Sequence, residues 1–368
     1  MNEIDIAWDK FLNSTSGNGS DDSVASDAGQ DDEHTEIPKC SDIYISTKTV
    51  IAFLDQPMDL NRLFWAIPVV PYENPTTGVI KKQMKTSCEA KADVKHLDAM
   101  IAKQSAINVD IISQVDNPTA RKVKFKDVRK INIGLSKKDL VSYRTKKKGA
   151  FYNCFVLILR IDTGETFREV HVKVFNTGKL EIPGIQKNEH LRRALDLLID
   201  TLQPLCDSQL LCKRDEIETV LINSNFSANY YIDRDRLYSI LKYKYKLHAI
   251  YDPCSYPGIQ CKFYHNEINE DHNGVCHCAN RCNKKGKGKG PNDCLEISFM
   301  VFRTGSVLIV GHCDEDVLGQ IYSFLCRVLH DEYASISTPT PHNVKPKSKG
   351  GKLRKRTISV TKNPVDKP

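Results

Sequence analysis

The sequence predicts an α+β protein in which a unit of antiparallel sheet and helices occurs twice in tandem. The repeat is clearest in two segments, Val174-Phe175-Asn176-Thr177-Gly178-Lys179 followed by Gly184, and Val301-Phe302-Arg303-Thr304-Gly305-Ser306 followed by Gly311. Each segment is typical of a hairpin, in which a strand ends in an aromatic residue and a short turn with glycine leads into a second strand. Upstream, residues 45–47, 59–63 and 72–78 match residues 222–224, 233–237 and 251–258. The repeat is therefore about half a domain long, which excludes a solenoid.

The elements of the first repeat follow from local signals. Residues 43–54 are β-branched and apolar, which predicts a strand, and Asp59 is a good N-cap for a short helix that Pro68 ends. The remaining predicted elements are strands at 78–85, 151–161 and 167–175 and a helix at 188–202. Valines alternate with His171, Lys173 and Phe175 in the strand 167–175, so one face packs and the other is displayed.

The second repeat runs the same course. Strands are predicted at 219–231, 258–264, 295–302 and 307–310, with a helix from Asp233 to about residue 244. The closing helix carries Val317, Leu318, Ile321, Tyr322 and Leu325 on one side, as the helix 188–202 carries Leu191, Ala194, Leu195, Leu198 and Leu202. Both repeats are therefore expected to lay helices on one face of a curved antiparallel sheet, which leaves the opposite face for a ligand.

Charge is distributed unevenly over the 368 residues, whose net charge is +7. The first 38 residues hold ten acidic side chains and one lysine, whereas residues 336–368 hold nine lysines and arginines and one aspartate, so the body between them is basic too. We expect two disordered tails, 1–38 and 336–368, around a first repeat at 39–205 and a second at 206–335. The first repeat would contain a basic insertion at about 88–149, and the second a Cys/Lys/Gly-rich insertion at about 266–293.

Several classes of protein are disfavoured by the composition. No apolar run approaches the ~20 residues that span a bilayer, and the first residues lack the pattern of a signal peptide, so we expect an intracellular protein with no membrane segment. The 13 cysteines are an odd number, which favours reduced thiols or metal ligands over a disulfide framework. No phosphate-cradling glycine loop, nucleophile motif or carboxylate pair stands out. The sequence therefore predicts a binding protein and not an enzyme.

The residues of the second repeat resemble the TATA-box-binding protein family. Ser255-Tyr256-Pro257-Gly258-Ile259 resembles the family's Phe-Pro-Gly segment, and Phe302-Arg303-Thr304-Gly305 with Gly311 resembles its Phe-x-Ser-Gly-Lys hairpin. The resemblance covers about residues 40–335 and implies a saddle built by tandem duplication, whose concave sheet sits in the minor groove of DNA. The insertions and charged tails are similar to the divergent forms of large double-stranded DNA viruses, in which the compartment would be host cytoplasm or nucleus, or the virion.

The resemblance implies roles for individual residues. Phe175, Phe302 and Tyr256 stand where the family keeps intercalating phenylalanines, and an apolar wedge suits a groove whose hydrogen-bond code is degenerate. Lys179 and Lys262 match positions that touch phosphates. The other expected DNA contacts in the hairpins are Thr177, Arg303 and Thr304. Each aromatic residue can instead be a core residue, and its recurrence at one hairpin position favours the surface role.

The resemblance also implies partners, and departures from it suggest a second function. Implied partners are double-stranded DNA, a transcription-factor-IIB-like protein and an RNA polymerase, bound by a monomer with internal pseudo-twofold symmetry that bends promoter DNA and initiates transcription. However, the paired asparagines of the family's DNA face fall near Ile43 and Val220, and Glu181 replaces an apolar groove contact. A carboxylate is unfavourable against the negative minor groove. The alternative is a protein-interaction adaptor with the same fold that has lost specific DNA binding.

Two alignments of the first repeat remain open. The internal comparison places its first half at 43–85 and makes 88–149 an insertion. Residues 130–134, 139–140 and 155–161 also resemble the family's opening strand, helix and second strand. In that second alignment a fourth intercalating residue, beside those at Phe175, Phe302 and Tyr256, lies near Phe155, with Arg160 as the cation that touches the adjacent phosphate.

Four cysteines of the second insertion form a candidate metal site. Cys276, Cys278, Cys282 and Cys294 lie in a polar segment between two predicted strands. Four thiolates can satisfy a tetrahedral zinc ion and hold an insertion together. The spacing differs from the usual pair of Cys-x-x-Cys motifs, so the alternatives are structural zinc and unliganded loop thiols. No other cofactor is expected.

Overall fold

The computed structural model describes residues 36–104, 107–141, 151–269 and 271–339. The predicted tails lie almost entirely outside these residues. Contacts divide the described chain into two compact units. Unit 1 contains residues 36–50 and 218–339, and unit 2 contains residues 51–217, so the chain passes from unit 1 to unit 2 inside its first strand and returns at 217/218.

Unit 1 is an antiparallel sheet with its helices on one side. Its elements are the first half of β1 (Tyr44–Phe53), β8 (Glu218–Ser227), β9 (Tyr231–Ile232), α5 (Arg234–Ser239), β10 (His248–Ile250), β11 (Gly258–His265), β12 (Leu295–Phe302), β13 (Ser306–Gly311), α6 (Glu315–Asp331), α7 (Tyr333–Ile336) and β14 (Ser337–Thr338). A π-helical turn, Ile240–Lys244, continues α5. The strand order is β10-β11-β12-β13-β8-β1, while β9 pairs with β14 separately.

Unit 2 repeats this arrangement and extends it. Its elements are the second half of β1, α1 (Leu60–Ala66), β2 (Gly78–Cys88), α2 (Lys91–Ala102), β3 (Ile107–Asp116), β4 (Phe125–Gly134), α3 (Lys137–Val141), β5 (Cys154–Asp162), β6 (Phe167–Phe175), β7 (Lys179–Ile185) and α4 (Asn188–Leu202). Short 3-10 helices follow at Gln203–Leu205 and Arg214–Glu216. The strand order is β1-β7-β6-β5-β2-β4-β3. The predicted α+β class, with antiparallel sheet and helices, is confirmed.

The duplication is visible in equivalent hydrogen bonds. After β1 the N–H of Leu54 donates to the carbonyl of Gly178, and after β8 the N–H of Ala228 donates to that of Gly305, both at 2.8 Å. Both glycines have φ near +80°, and a Cβ on either would meet a backbone carbonyl oxygen within 2.5 Å, so glycine is required at both turns. The predicted N-caps also recur: the side chains of Asp59 and Asp233 each accept from two backbone N–H groups of the following turn.

The structure combines the two alignments of the first repeat. Strand β1 lies beside β7 as β8 lies beside β13, which agrees with the alignment that starts at residue 43. Strand β5, however, occupies the place of β11 beside the hairpin, and β2 occupies the outer place of β10. Inside the predicted insertion, β3 and β4 add two strands beyond β2. Residues 72–78 and 251–258 match in sequence, but the strands that follow them are not equivalent. The strand after 72–78 is β2, in the outer place, whereas the strand after 251–258 is β11, next to the hairpin.

One face of each sheet is buried beneath helices. In unit 1, Ile297, Phe299 and Val301 pack in one cluster with α5, α6 and α7. In unit 2, Phe155 packs against Phe64 of α1, with ring centroids 6.4 Å apart. The predicted stripes are confirmed, because the five named residues of α4 are buried, as are all those of α6 except the half-buried Tyr322.

We call the opposite side of each sheet its second face. Side chains alternate between the faces along a strand, and opposed residues of antiparallel strands share a face. The second face of unit 1 therefore carries Met300 and Phe302, and that of unit 2 carries His171, Lys173 and Phe175. None of the helices in the described ranges combines the length and hydropathy that crossing a bilayer requires.

Candidate nucleic-acid interface

The second face of unit 1 has an apolar centre. Met300, Phe302 and Leu308 form a cluster of their own, separate from the core under the helices, and Tyr256 packs against it. The strand register places Gln260 opposite Met300 and Asn225 opposite Leu308. The face thus presents apolar side chains flanked by side-chain amides, a combination that suits groups which offer both hydrogen-bond acceptors and apolar edges.

Phe302 lies on the predicted face but is covered. Only 6% of it is exposed, and the ring of Tyr256 lies 6.2 Å from its ring, between centroids. The Tyr256 hydroxyl donates to the sulfur of Met300 at 3.3 Å. Phe302 is therefore on the expected face, but neighbouring side chains cover it in this structure. To reach a base step, Phe302 must exchange its contacts with this patch for contacts with the bases.

Amides line the same face beside β1. The Asn223 side chain donates to the hydroxyl of Thr47 at 3.1 Å, and the Asn225 side chain donates to that of Ser46 at 2.7 Å. The sequence comparison looked for asparagines near Val220 and missed these two, which lie on the same strand. The alternation of β8 identifies them, because Ile222 and Phe226 belong to the buried cluster.

Lys262 and the hairpin residues of unit 1 differ in availability. Lys262 forms an ion pair with Glu296 at 2.7 Å and donates to Ser298 at 2.8 Å, so a phosphate would have to compete with a carboxylate for it. Arg303 and Thr304 are exposed at the turn after β12. Of the two predicted cationic contacts in unit 1, Arg303 is therefore more accessible to a phosphate than Lys262.

The hairpin of unit 2 brings its predicted residues together. Phe175 is half-buried at the end of β6, and the ammonium group of Lys179 lies 6.0 Å from its ring centroid. Thr177 is exposed in the turn between them. This end of the second face therefore offers an accessible aromatic ring beside a cation.

Glu181 does not stand as an isolated carboxylate on this face. It lies opposite Lys173 in the register, and the two side chains form an ion pair at 2.5 Å in a partly buried position. The repulsion expected between Glu181 and a polyanion is reduced by this partner. In return, Lys173 is less available as a phosphate contact.

The alternative contacts at Phe155 and Arg160 are corrected. Phe155 is completely buried against α1, so it lies on the helix side of the sheet and cannot act as a wedge. Arg160 is on the second face, but its guanidinium donates to the carbonyls of Thr76 at 2.7 Å, Tyr72 at 2.9 Å and Asn74. Because its N–H groups donate to backbone carbonyls, Arg160 holds the loop 71–76 in place, and these N–H groups are not available to a phosphate.

A short helix occupies part of the second face of unit 2. Asp139 of α3 forms an ion pair at 2.7 Å with Lys81, which is only 6% exposed. The Asp139 carboxylate also accepts from the N–H and the hydroxyl of Ser136. The N–H of Lys137 donates to Glu169 at 2.8 Å. The start of β6, around Glu169, is thus covered by α3, whereas its hairpin end around Phe175 is accessible.

Sequence reasoning missed two exposed aromatic residues near this hairpin. Phe151 is 62% exposed, with the ammonium group of Lys173 4.5 Å from its ring centroid, and Tyr152 is 51% exposed, with that of Lys85 at 3.6 Å. The proposed strand 151–161 hid them, because the observed strand begins only at Cys154. Exposed rings with neighbouring lysines are typical of surfaces that stack on nucleic-acid bases.

The four cysteines of the second insertion converge. The sulfur atoms of Cys276, Cys278, Cys282 and Cys294 all lie within 4.8 Å of one another, and Cys294 lies 3.4 Å from Cys278 and 3.7 Å from Cys276 between sulfurs. Four sulfurs bound to zinc at about 2.3 Å in a tetrahedron would stand about 3.8 Å apart. The cluster can therefore hold a metal ion.

Hydrogen bonds to the sulfurs complete this cluster. The N–H of Lys284 donates to Cys282 at 3.3 Å, and the side chain of Asn266 approaches the sulfur of Cys294 at 3.9 Å. Burial raises the pKa of Cys282, but hydrogen bonds from backbone N–H groups and neighbouring thiols outweigh that effect and bring this pKa to about 7. Donors directed at thiolates are the outer partners that metal–sulfur sites use.

A sequence match to a known protein supports the resemblance derived from the second repeat. The chain is 25% identical over 216 residues to a TATA-box-binding protein-like protein of Acanthamoeba polyphaga mimivirus, a match that covers 54% of this chain and 53% of that protein. The chain thus matches about half the length of this relative. A solved structure of Methanococcus jannaschii TBP matches with a TM-score of 0.38 and 10% identity, over 79% of this chain and 99% of that one. No family model matches.

Proposed function

We propose that this TATA-box-binding protein-like chain is a DNA-binding protein that uses the second face of unit 1 to contact the minor groove of A·T-rich duplexes. The observation that supports this most is the pairing of an apolar cluster at Met300, Phe302 and Leu308 with amides at Asn223 and Asn225 on one face that bears no helix among the described residues. A minor groove offers hydrogen-bond acceptors along a narrow apolar floor, and a wedge that enters it kinks the duplex. The function is one of binding and not of catalysis.

The hairpin end of unit 2 would add a second contact. Phe175 is accessible there beside Lys179, and the exposed rings of Phe151 and Tyr152 lie near the same end of the sheet. Lysine beside an aromatic ring suits simultaneous contact with a phosphate and a base. Unit 2 would therefore contribute through its hairpin and not through the part of its face under α3.

The biological setting is proposed from the relative. Because the mimivirus relative is named TATA-box-binding protein-like, we propose promoter DNA as the ligand of this chain. The family resemblance adds a transcription-factor-IIB-like protein and an RNA polymerase as partners. In this setting the chain acts inside an infected cell as a viral initiation factor, where bent DNA provides the platform for assembly.

A binding series tests the proposal. Affinities for A·T-rich and mixed duplexes are measured over a range of salt concentrations. We expect tighter binding to the A·T-rich duplex and a linear fall of log K with log salt, by about 0.9 for each phosphate contact. Equal, salt-insensitive binding to both duplexes would contradict the proposal.

A protein-interaction adaptor is the second candidate function. The burial of Phe302 favours it, because an apolar cluster that is already covered gains little from further burial against DNA. An adaptor would retain the fold and show no preference for A·T-rich DNA in the same series, so one experiment separates the two functions.

We also propose that the four-cysteine cluster binds one zinc ion that stabilises the insertion of unit 1. The mutual sulfur distances and the N–H donors at Cys282 and Cys294 support tetrahedral thiolate ligation. Purified protein should contain one zinc per chain, and Cys278→Ser should lose it while Cys254→Ser, at an exposed cysteine outside the cluster, keeps it. Stoichiometry near zero in the unsubstituted protein would refute zinc binding.

A further inference from the structure

A lysine-rich segment lies against the cysteine cluster. The segment Lys284-Lys285-Gly286-Lys287-Gly288-Lys289 begins two residues after Cys282, and all four lysines are exposed. In the described part of the chain no carboxylate forms an ion pair with any of these four ammonium groups. Four unpaired cations within six residues repel one another, so the segment needs a structural reason to be held in one conformation.

The backbone supplies that reason, because the segment is hydrogen-bonded to the cluster. The N–H of Lys284 donates to the sulfur of Cys282, and the N–H of Gly286 donates to the carbonyl of Cys294 at 3.0 Å. Asp293, the residue before Cys294, accepts from the N–H of Gly288 through its carbonyl at 2.7 Å and from that of Lys287 through its carboxylate at 3.0 Å. The placement of the lysines therefore depends on the placement of two cluster cysteines.

The segment also borders the second face of unit 1. The ammonium group of Lys284 lies 4.8 Å from the ring centroid of Tyr264, and Tyr264 faces Glu296 in the register of β11 and β12. These two residues share the face of Met300 and Phe302, at the opposite end of the strands from the hairpin. A duplex lying along this face would have its backbone within reach of the lysines.

Charge balance supports a polyanionic ligand. A zinc ion with four thiolates carries a net charge of −2, whereas Arg281 and the four lysines supply five positive charges in nine residues. The Asp293 carboxylate, which accepts from the N–H of Lys287, brings the negative charge to −3, so an excess of two positive charges remains. Lysine ammonium groups are compact cations that bind phosphate as point charges.

We infer that residues 284–289 are a phosphate-binding site for the backbone of duplex DNA, held in place by metal on the four-cysteine cluster. The inference rests on the proposed function, because it extends the contact of the second face of unit 1. It assigns the metal a role in DNA affinity in addition to stability. Removing the metal releases Cys282 and Cys294 and with them the anchors of the lysines.

The test compares salt dependence in matched variants of the full chain. Lys285→Gln/Lys287→Gln should lower the slope of log K against log salt by about 1.8, which is two phosphate contacts, and should leave the zinc content and the DNA bend unchanged. The control is Lys95→Gln/Lys103→Gln, at two exposed lysines in or next to α2, which should keep the full slope. Zinc removal by a chelator should lower the slope of the unsubstituted protein at least as much as the double substitution does.

The outcomes are distinct. If the unsubstituted protein binds and bends A·T-rich DNA but the loop variant keeps its slope, the phosphate site is refuted and the proposed function stands. If the chelated protein keeps the slope, metal control of the lysines is refuted. If the unsubstituted protein does not bind duplex DNA at all, both the proposed function and this inference fail.

Discussion

The second faces of the two units share a strand order over five strands and differ in the chemistry at their centres, although unit 1 also carries the ion pair Lys262–Glu296 toward one end. In unit 1 the face is apolar at its centre, with Met300, Phe302 and Leu308 covered by Tyr256 and flanked by amides. In unit 2 the corresponding face is charged, with the ion pairs Lys173–Glu181 and Lys81–Asp139. The shared strand order shows that the backbone does not determine which of these chemistries is displayed.

The difference suggests that the two copies of the duplicated sheet contribute unequally to DNA binding. An apolar face flanked by amides can contact a groove floor, whereas a face that satisfies its own charges has less to gain from a polyanion. In unit 2, Arg160 also donates to the loop 71–76, and α3 covers Glu169 near the start of β6. We therefore expect unit 1 to dominate DNA contact and unit 2 to contribute mainly at its hairpin.

The largest expected effect compares the two hairpin aromatic residues. Phe302→Ala should lower the free energy of unfolding by about 3 kcal/mol, because it leaves a cavity in a covered apolar cluster, and Phe175→Ala by about 1 kcal/mol, because Phe175 is half-buried. Urea denaturation of both variants measures the difference. Equal losses would mean that the two hairpins are packed alike, contrary to the comparison.

The next effect concerns the ion pair under α3. Asp139→Ala should cost about 2 kcal/mol, since it leaves the buried Lys81 ammonium group without its carboxylate. The double variant Lys81→Met/Asp139→Leu should recover most of that loss in thermal or urea unfolding, because no buried charge remains. A double variant that is less stable than Asp139→Ala would show that the pair does more than neutralise charge.

A pH dependence of stability is expected at a buried lysine of unit 2. Burial lowers the pKa of Lys82 to about 8, and its ammonium group donates to the carbonyl of Ile67 at the end of α1 at 2.6 Å. The folded state therefore binds fewer protons than the unfolded state above pH 8, and stability rises with pH up to the ordinary lysine pKa near 10.5. Relative to Lys82→Met, the unsubstituted protein should gain about 1 kcal/mol across this window, after allowance for solvent screening.

Unfolding free energies at pH 8 and pH 10 check this prediction. In unit 1 the corresponding helix ends in a π-helical turn closed by its own backbone, with the N–H of Tyr245 bonded to Ile240. A lysine is not needed there. An identical pH profile for the protein and the Lys82→Met variant would contradict the assignment.

The smallest effect on stability is expected at Glu181. Glu181→Gln removes a partly buried pair partner of Lys173 and should change the unfolding free energy by less than about 1 kcal/mol. It should, however, release Lys173 toward phosphate and raise the salt slope of DNA binding by about 0.9. A slope that stays constant would place Lys173 outside the DNA contact.

Local features of the fold were predictable from the sequence. The caps at Asp59 and Asp233, the turn glycines Gly178 and Gly305 and the apolar stripes of α4 and α6 depend on residues a few positions apart. Such features can be predicted from a single sequence because local residue propensities and hydrophobic periodicity determine them.

Long-range pairing and coverage were not predictable in the same way. The place of β2 beside β5, and of β3 and β4 beyond β2, depends on pairing choices that local patterns leave open. The burial of Phe302 depends on Tyr256, which is 46 residues away in the chain. The position of Arg160 among the carbonyls of the loop 71–76 likewise involves residues more than 80 positions apart.

The most direct test of the account is the DNA bend produced by unit 1. In an electrophoretic phasing assay on an A·T-rich duplex, the protein should bend DNA, Phe302→Leu should reduce the bend while preserving the fold, and Tyr243→Leu, at an exposed aromatic residue beyond α5, should leave it unchanged. A bend in Phe302→Leu equal to that of the unsubstituted protein would contradict the assignment of Phe302 and its face to the minor groove.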